Sequence, residues 1–305
     1  MKIVMLGAGA MGSLFGAMLS RSERGEIWLV DIWEEHINRI KSHGLVVESE
    51  GKEVLHQVRA TTDPEEVGIA DLIIVFVKAY VTKDAVEYGL SMVGKETFFL
   101  SLQNGLGNIE NIASVIPEAK VVVGVTSQGS TMLGPGRIRH GGKGPTFVGR
   151  TDRKITEEVE AISTLFNQSG IGTEVSDNIE RLMWEKLLIN VGINAVTAIT
   201  GLRNGELLNH EETKILLTGA VEEAAKVART KGIPVGKNPV AKVFEICKAT
   251  AQNRSSMGQD IDNRRRTEID FINGGIVREG TALGIPTPVN TTLICLIKTI
   301  EKGFG

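Results

Sequence analysis

The sequence predicts an α/β fold in which a doubly wound parallel sheet is followed by an all-helical domain. Two observations support this class. Within the first 31 residues, an apolar strand, a glycine-rich loop, an amphipathic helix and a second strand follow one another without interruption. Short β-rich runs then alternate with helical stretches as far as residue 177, beyond which long helical patterns take over. Strands that alternate with helices imply right-handed crossovers and therefore a parallel sheet.

The glycine-rich loop follows the first strand, residues 2–6, and has the pattern of a Rossmann-type dinucleotide site. Its residues are Gly7, Ala8, Gly9, Ala10, Met11 and Gly12. Gly7 supplies the tight turn, Gly9 lets the backbone approach a pyrophosphate, and Gly12 brings the helix against the strand. Asp31 ends the second strand 19 residues after Gly12, where an acid can bind ribose hydroxyls. The strand, loop, helix and acid together predict a bound nicotinamide or adenine dinucleotide.

The following elements continue the alternation. Helices are predicted over residues 13–20, 34–41 and 82–90, and strands over residues 26–31, 45–47, 54–59, 72–77, 97–102 and 121–125. The run at 72–77 is apolar throughout, as in parallel strands covered on both faces. Because ligands of doubly wound sheets lie beyond the carboxyl ends of the strands, Lys78 and Asn104 are candidates for the dinucleotide site.

Glycine and proline become dense between residues 126 and 149, which favours hairpins over another helical crossover. A helix and a short strand at 172–175 complete the first domain, so we predict a dinucleotide-binding domain at 1–177 and a helical substrate domain at 178–305. Two helices of the second domain are expected to stop alike, at Gly232 and Gly284, because each glycine is followed by isoleucine and proline.

The composition excludes several classes of partner. The formal net charge is -3 and the pI about 6.0, which points away from nucleic acids and anionic membranes. Two cysteines, Cys247 and Cys295, cannot form a disulfide framework, and no secretory segment is evident, so a cytoplasmic location is expected. The histidines lack metal-ligand spacing, so no metal site is predicted. The uncharged stretch at 187–202 is interpreted as a buried helix, since a membrane span needs roughly 20 apolar residues.

A polar stripe on the first helix of the second domain is the strongest sign of a substrate site. Lys186, Asn190 and Asn194 stand four residues apart, which places them on one narrow helical face. Most of their neighbours are apolar, so the helix as a whole is expected to be buried. A polar stripe on a buried helix must face water, a polar partner or a ligand.

A second polar cluster covers residues 253–275. There the arginines 264–266 are interpreted as a solvated helix face, and Glu268, Ile272 and Ile276 are expected to share another face of that helix. A carboxylate on an otherwise apolar stripe is unusual. The spacing leaves open whether Glu268 forms a structural ion pair or belongs to a site.

Taken together, these motifs resemble the ketopantoate reductases, members of the 6-phosphogluconate-dehydrogenase-like superfamily, over essentially the whole chain. The matching segments are residues 7–12, 77–79, 103–107, 184–190, 204–206, 255–257 and 267–274. The resemblance implies reduction of 2-dehydropantoate to pantoate by a nicotinamide cofactor, in the pathway to pantothenate and coenzyme A.

The resemblance also implies roles for individual residues. Lys186 matches the general acid of the family, and Glu268 matches a residue where cofactor and substrate meet. Three residues match positions that line the cofactor: Lys78, Asn104 and, more loosely, Ser130. The positions implied to hold the substrate are Asn190, Asn194, Asn204, Asn253, Arg254, Ser255 and Ser256, together with Lys186. Hydride transfer to a ketone leaves charge on its oxygen, which a cationic acid such as Lys186 both stabilises and protonates.

Two cofactors stay open. The resemblance implies NADP, and family members commonly carry an arginine near the end of the second strand to bind the 2′-phosphate. This chain has Asp31 there, which favours the ribose diol of NAD and repels a phosphate. Arg39, Lys41 or a rotated Asp31 could still accommodate the phosphate.

Alternative functions also stay open. Another small 2-keto or 3-hydroxy acid dehydrogenase of the same superfamily would use the same lysine and asparagines. A non-catalytic dinucleotide sensor is the interpretation from a different class. The expected partner is a small keto acid, and assembly into a homodimer stays undecided.

Overall fold

The computed structural model describes residues 1–21 and 25–304, which divide into two compact units. Unit 1 comprises Met1–Gln103 and Asn108–Ile179, and unit 2 comprises Asn104–Gly107 and Glu180–Gly305. Unit 1 contains the strands and unit 2 is helical, which confirms the predicted class. The short loop Asn104–Gly107 belongs to unit 2 although the residues on both sides of it belong to unit 1.

The strands of unit 1 form two sheets. In chain order they are β1 (Lys2–Leu6), β2 (Glu26–Val30), β3 (Leu45–Ser49), β4 (Lys52–His56), β5 (Arg59–Thr61), β6 (Ala70–Val75), β7 (Val93–Ser101), β8 (Val121–Thr126), β9 (Gly129–Gly134), β10 (Arg137–Gly142), β11 (Thr146–Gly149) and β12 (Thr173–Ser176). The larger sheet has the order β12-β11-β8-β7-β6-β1-β2-β5 and is parallel except where β11 meets β8. The strand order reverses at β1, between β2 and β6, so the carboxyl ends of β1 and β6 mark the ligand-binding edge.

The smaller sheet has the order β4-β3-β10-β9. Its strands β9 and β10 form an antiparallel hairpin that turns at Gly134–Gly136. The hairpin expected in the glycine-rich segment is therefore confirmed. Gly136 has φ +69°, a left-handed conformation that suits glycine at the turn.

Strands β1 and β6 are buried on both faces, as the apolar run at 72–77 predicts for β6. Alternate residues enter different cores: Ile3 and Met5 pack on one face, whereas Val4 and Leu6 pack on the other. The predicted strand at 72–77 is wrong at its end, because β6 stops at Val75. The amide of Phe76 still donates to the carbonyl of Leu6, and the peptide of Val77 then passes close to Gly7.

The helices of the described residues are α1 (Ala10–Leu19), α2 (Glu34–His43), α3 (Thr82–Tyr88), α4 (Asn108–Ala113), α5 (Glu157–Gln168), α6 (Ile179–Thr200), α7 (Glu211–Thr230), α8 (Pro239–Ala249), α9 (Ser256–Asp262), α10 (Asn273–Ala282) and α11 (Pro288–Lys302). Both predicted helix stops are confirmed. Gly232 and Gly284 have φ +77° and +67°, and the isoleucine after each donates its amide hydrogen to a carbonyl of the last helical turn.

The helix predicted around Glu268 is wrong. Helix α9 ends at Asp262, and Arg264 takes φ +52°, a left-handed conformation that cannot continue a right-handed helix. The amide of Arg265 then donates to the carbonyl of Asp260 at 2.8 Å, which closes the helix end. Glu268 therefore lies in a turn between α9 and α10, and the arginines 264–266 do not form a helix face.

Helix α6 is the central helix of unit 2. It is 22 residues long and, by length and composition alone, apolar enough to span a membrane, yet most of it is buried inside the protein. Two asparagines tie its middle to neighbouring helices. Asn273 Nδ2 donates to the carbonyl of Val191 on α6 and to Oδ1 of Asn290, and Asn290 Nδ2 donates to Glu223. The Asn273 bond thus joins the middle of α6 to α10, and Asn290 holds the Asn273 side chain in place.

Candidate functional site

The loop between β1 and α1 has the geometry of a phosphate-binding turn. Gly7 has φ +100°, and a Cβ there would lie 2.6 Å from the amide nitrogen of Val77. A Cβ on Gly12 would lie 1.9 Å from the carbonyl oxygen of Gly7, so only glycine lets helix and loop approach this closely. A Cβ on Gly9 would instead meet no atom of the described chain within 4 Å. Gly9 thus borders open space at the N-terminus of α1, where a dinucleotide pyrophosphate fits.

Asp31 is held beside this loop by two backbone amides. Ala8 donates to its Oδ2 at 2.6 Å and Trp33 donates to its Oδ1 at 3.0 Å. A carboxylate accepts about four hydrogen bonds, so each oxygen keeps a lone pair for a ribose hydroxyl. Arg39 and Lys41 are the two cations that could accommodate a 2′-phosphate. Of these, Lys41 forms an ion pair with Glu66, at 3.5 Å between Nζ and Oε2. Backbone donors thus set the orientation of the Asp31 carboxylate.

His36 supports the same loop through Ser13, a role that the sequence did not reveal. Its ring is fully buried, and its Nδ1 accepts from the amide of Gly136 at 3.0 Å. Its Nε2 lies 3.1 Å from Oγ of Ser13, which donates to the carbonyl of Ala8 at 2.8 Å. Burial lowers the pKa of His36, which favours the neutral ring that this chain of bonds requires.

Two further residues implied to line the cofactor lie in unit 1. Lys78 follows β6 and precedes a short helical turn, Ala79–Val81. Gln103 donates through Nε2 to the carbonyl of Val77 at 2.7 Å, which fixes the segment that carries Lys78. Ser130 lies on β9, and its buried Oγ has no hydrogen-bond partner within residues 1–21 and 25–304.

Unit 2 carries the polar stripe on α6. Lys186 and Asn190 are half-buried and Asn194 is buried. Burial lowers the pKa of Lys186 to about 8, and the negative charge of Glu268 opposes that shift. Glu268 is itself only 8% exposed. The structure therefore brings a lysine and a carboxylate together that lie 82 positions apart in the sequence, and the lysine can exchange a proton near neutral pH.

The substrate candidates near residue 204 form one cluster. Asn204 donates through Nδ2 to Thr250 at 2.9 Å, while its buried Oδ1 has no partner in the part of the chain that the structure describes. The amide of Asn204 donates to the carbonyl of Asn253, which joins the two segments. Ser256 is exposed at the start of α9. Because this acceptor is buried, the substrate contact that the resemblance implies for Asn204 stays a prediction.

Arg254 and Ser255 both make structural hydrogen bonds, and the substrate contacts that the resemblance implies for them stay a prediction. The Arg254 guanidinium donates to both carboxylate oxygens of Asp262 and to the carbonyls of Thr197 and Leu202 at the end of α6. Its donors are therefore used inside the protein. Ser255 caps α9 by accepting from the amide of Gly258, and it also accepts from the hydroxyl of Thr197. Sequence spacing cannot distinguish such structural polar residues from ligand contacts.

Asn104 lies in unit 2, on the loop Asn104–Gly107, and is half-buried. The unit thus carries one residue implied to line the cofactor as well as the lysine and carboxylate. No group of three or more His, Cys, Asp or Glu side chains with metal-site geometry occurs in residues 1–21 and 25–304.

Known proteins match the chain over its full length. The family model described as ketopantoate reductase PanE/ApbA matches residues 3–153, and its C-terminal counterpart matches residues 178–301. The 2-dehydropantoate 2-reductase of Halobacterium salinarum is 35% identical over 99% of both chains, and that of Pyrococcus horikoshii is 34% identical over 100% of this chain and 99% of its own.

Solved structures agree with this assignment. A PanE/ApbA family ketopantoate reductase from Ralstonia eutropha JMP134 is 34% identical, with a TM-score of 0.92 over 100% of this chain and 99% of its own. D-mandelate dehydrogenase, in a ternary structure with NADH and anilino(oxo)acetate, is 32% identical with a TM-score of 0.92 over the same shares. On both family models and the full-length identities, the chain belongs to the ketopantoate reductase family.

Proposed function

We propose that this protein reduces 2-dehydropantoate to pantoate with a nicotinamide dinucleotide, a step toward pantothenate and coenzyme A. The observation that carries the proposal is the pairing of Lys186, whose pKa lies near 8, with the buried carboxylate of Glu268 beside an asparagine stripe. The names of the relatives supply the substrate, since the curated proteins that match over the full length are 2-dehydropantoate 2-reductases. Two free cysteines, Cys247 and Cys295, suit a cytoplasmic location.

The proposed mechanism assigns proton transfer to Lys186. The reduced nicotinamide supplies the hydride when bound. As negative charge develops on the ketone oxygen, the Lys186 ammonium stabilises it and gives up its proton. Glu268 favours the charged form of Lys186, which keeps the acid protonated at neutral pH. Asn190 and Asn194 orient the keto acid through neutral hydrogen bonds.

The glycine-rich loop and Asp31 support a dinucleotide with an unmodified ribose, so we propose that NADH is used at least as well as NADPH. Gly9 borders the space that a pyrophosphate needs, and the Asp31 carboxylate is oriented by Ala8 and Trp33. The similar D-mandelate dehydrogenase was solved with NADH.

A second candidate is a dehydrogenase for another 2-keto acid. The observation in its favour is the similarity to D-mandelate dehydrogenase, which matches the fold as well as the ketopantoate reductase from Ralstonia does. A keto acid with an aromatic group would then replace ketopantoate. The same lysine and asparagines would serve both reactions.

The function is tested by following NADH and NADPH oxidation with ketopantoate, phenylglyoxylate and pyruvate. We expect ketopantoate to have the highest kcat/KM, with NADH at least as effective as NADPH. A higher value for phenylglyoxylate would replace the proposal with the second candidate. Tight dinucleotide binding without turnover of any keto acid would indicate a non-catalytic sensor.

Replacing Asp31 tests how the cofactor is selected. Asp31→Ala removes the charge that repels a 2′-phosphate, so the ratio of kcat/KM for NADPH to that for NADH should rise. Asp31→Asn, which keeps the shape of the side chain, should change the ratio in the same direction. A strong wild-type preference for NADPH that neither variant alters would contradict the role of Asp31.

Replacing Gly9 tests the pyrophosphate site. Gly9→Ala adds a methyl group where the described chain has no atom within 4 Å, so the free energy of unfolding should change by less than about 1 kcal/mol. The dissociation constant for NADH, measured by fluorescence, should nevertheless rise at least about tenfold, or about 1.4 kcal/mol. Gly172→Ala, at another glycine with open space around it, is the control and should leave binding unchanged. Unchanged NADH affinity in Gly9→Ala would place the pyrophosphate elsewhere.

The pH dependence of ketone reduction tests Lys186. Only the protonated lysine can act as the acid, so kcat/KM should be constant below pH about 8 and fall as pH rises through that pKa. Lys186→Met should lower kcat by roughly 100- to 10,000-fold with cofactor binding intact. Glu268→Gln removes the charge that raises the lysine pKa. The pH above which kcat/KM falls should therefore be lower in this variant.

Glu185→Gln is the matched control for Glu268→Gln. Glu185 precedes Lys186 on α6 but is paired with Arg181 at the surface. Its profile should match that of the wild type. Near-normal turnover in Lys186→Met with intact cofactor binding would remove Lys186 from the mechanism.

A further inference from the structure

We infer that Arg278 is a positioning residue that clamps the loop Asn104–Gly107 onto the turn containing Glu268, and so fixes where Asn104 lies relative to the Lys186–Glu268 pair. The inference deepens the proposed function and rests on it for the roles of Asn104 and Lys186. The clamp itself rests on contacts within unit 2.

Three hydrogen bonds make the clamp. Arg278 Nη1 donates to the carbonyl of Asp270 at 2.6 Å, and its Nη2 donates to the carbonyl of Leu106 at 3.2 Å. The amide of Leu106 in turn donates to the carbonyl of Phe271 at 2.8 Å. The two ends of one planar guanidinium thus join the loop to the turn, an arrangement that the single ammonium of lysine cannot reproduce.

Glycines on both sides of the contact allow this close approach. Gly105 has φ +85°, and a Cβ on it would lie 2.4 Å from the carbonyl oxygen of Phe271. A Cβ on Gly275, in α10, would lie 3.2 Å from Cβ of Leu106. A side chain at Gly105 would therefore push the loop away from the turn even with Arg278 in place.

Few residues separate the clamped backbone from Asn104 on one side and from Glu268 on the other. The clamp can therefore set the positions of both side chains. Asn104 precedes Gly105 directly, and the amides of Phe271 and Ile272 both donate to the carbonyl of Glu268 at 3.0 Å. This turn leaves little slack between the clamped backbone and the carboxylate. Glu268 interacts electrostatically with Lys186. Displacement of the loop would therefore move Asn104 relative to this pair, while Lys186 and Glu268 keep their interaction.

The test compares Arg278→Gln, which removes the fork, with Arg278→Lys, which keeps the charge. The control is Arg229→Gln, since Arg229 is another exposed arginine of unit 2 that donates to a loop carbonyl, that of Gly236. Hydrogen exchange at the Leu106 amide is measured first, because it reports on the clamp whatever the protein catalyses. We expect exchange to be about tenfold faster in Arg278→Gln and unchanged in Arg229→Gln.

Kinetics then test the consequence. Arg278→Gln should lower kcat by about 10- to 100-fold through misplacement of the reacting groups, with the KM for the keto acid within about twofold. The deuterium isotope effect with C4-deuterated NADH should rise, and the pKa near 8 in the pH profile should stay in place. Arg278→Lys should restore only part of kcat. Gly105→Ala, which displaces the loop with Arg278 intact, should reproduce the loss.

Two results would overturn the inference. Unchanged Leu106 exchange in Arg278→Gln would show that no clamp exists, and faster exchange with wild-type kcat and isotope effect would show that the clamp does not position the site. If the wild-type protein reduces no keto acid, the proposed function fails and the positioning role with it, while the exchange measurement still decides whether the clamp exists.

Discussion

The desolvation of Lys186, opposed by the charge of Glu268, is the interaction on which the proposed chemistry depends. A lysine in water stays charged far above neutral pH and gives up its proton reluctantly. Burial on α6 lowers its pKa to about 8, and the neighbouring carboxylate prevents a further fall. To lower the pKa of Lys186, the fold has to bury α6. To limit that fall, it has to bring Glu268, from a distant segment of the chain, close to the lysine.

The helices of unit 2 meet both requirements. Asn273, itself held by Asn290, bonds a carbonyl in the middle of α6, and the Arg254 guanidinium binds a carbonyl near its C-terminal end. The left-handed residue Arg264 ends α9, so that Glu268 is carried on a turn rather than on a helix. Buried hydrogen bonds and one left-handed residue thus determine where the proposed site residues lie.

Unit 1 depends on a constraint of another kind, the closeness with which backbone segments meet. Gly7 and Gly12 allow loop, helix and neighbouring strand to approach without any intervening side chain. The amide of Ala8 donates to the Asp31 carboxylate, and its carbonyl accepts from the hydroxyl of Ser13, which also contacts the His36 ring. The proposed nucleotide site is therefore bounded by closely packed backbone, and backbone amides orient the Asp31 carboxylate beside it.

Features that depend on local pattern could be predicted from the sequence. An apolar run before the glycine-rich loop predicted β1, the turn chemistry predicted both glycine helix stops, and a four-residue spacing predicted that Lys186, Asn190 and Asn194 share a face. Which polar residues pair could be seen only in the folded chain, because pairing depends on segments far apart in the sequence. The tertiary structure separated Arg254, whose donors are used internally, from Asn204, whose acceptor is unpaired. It also broke the helix expected at Glu268, since the backbone conformation of one arginine outweighed the periodicity around it.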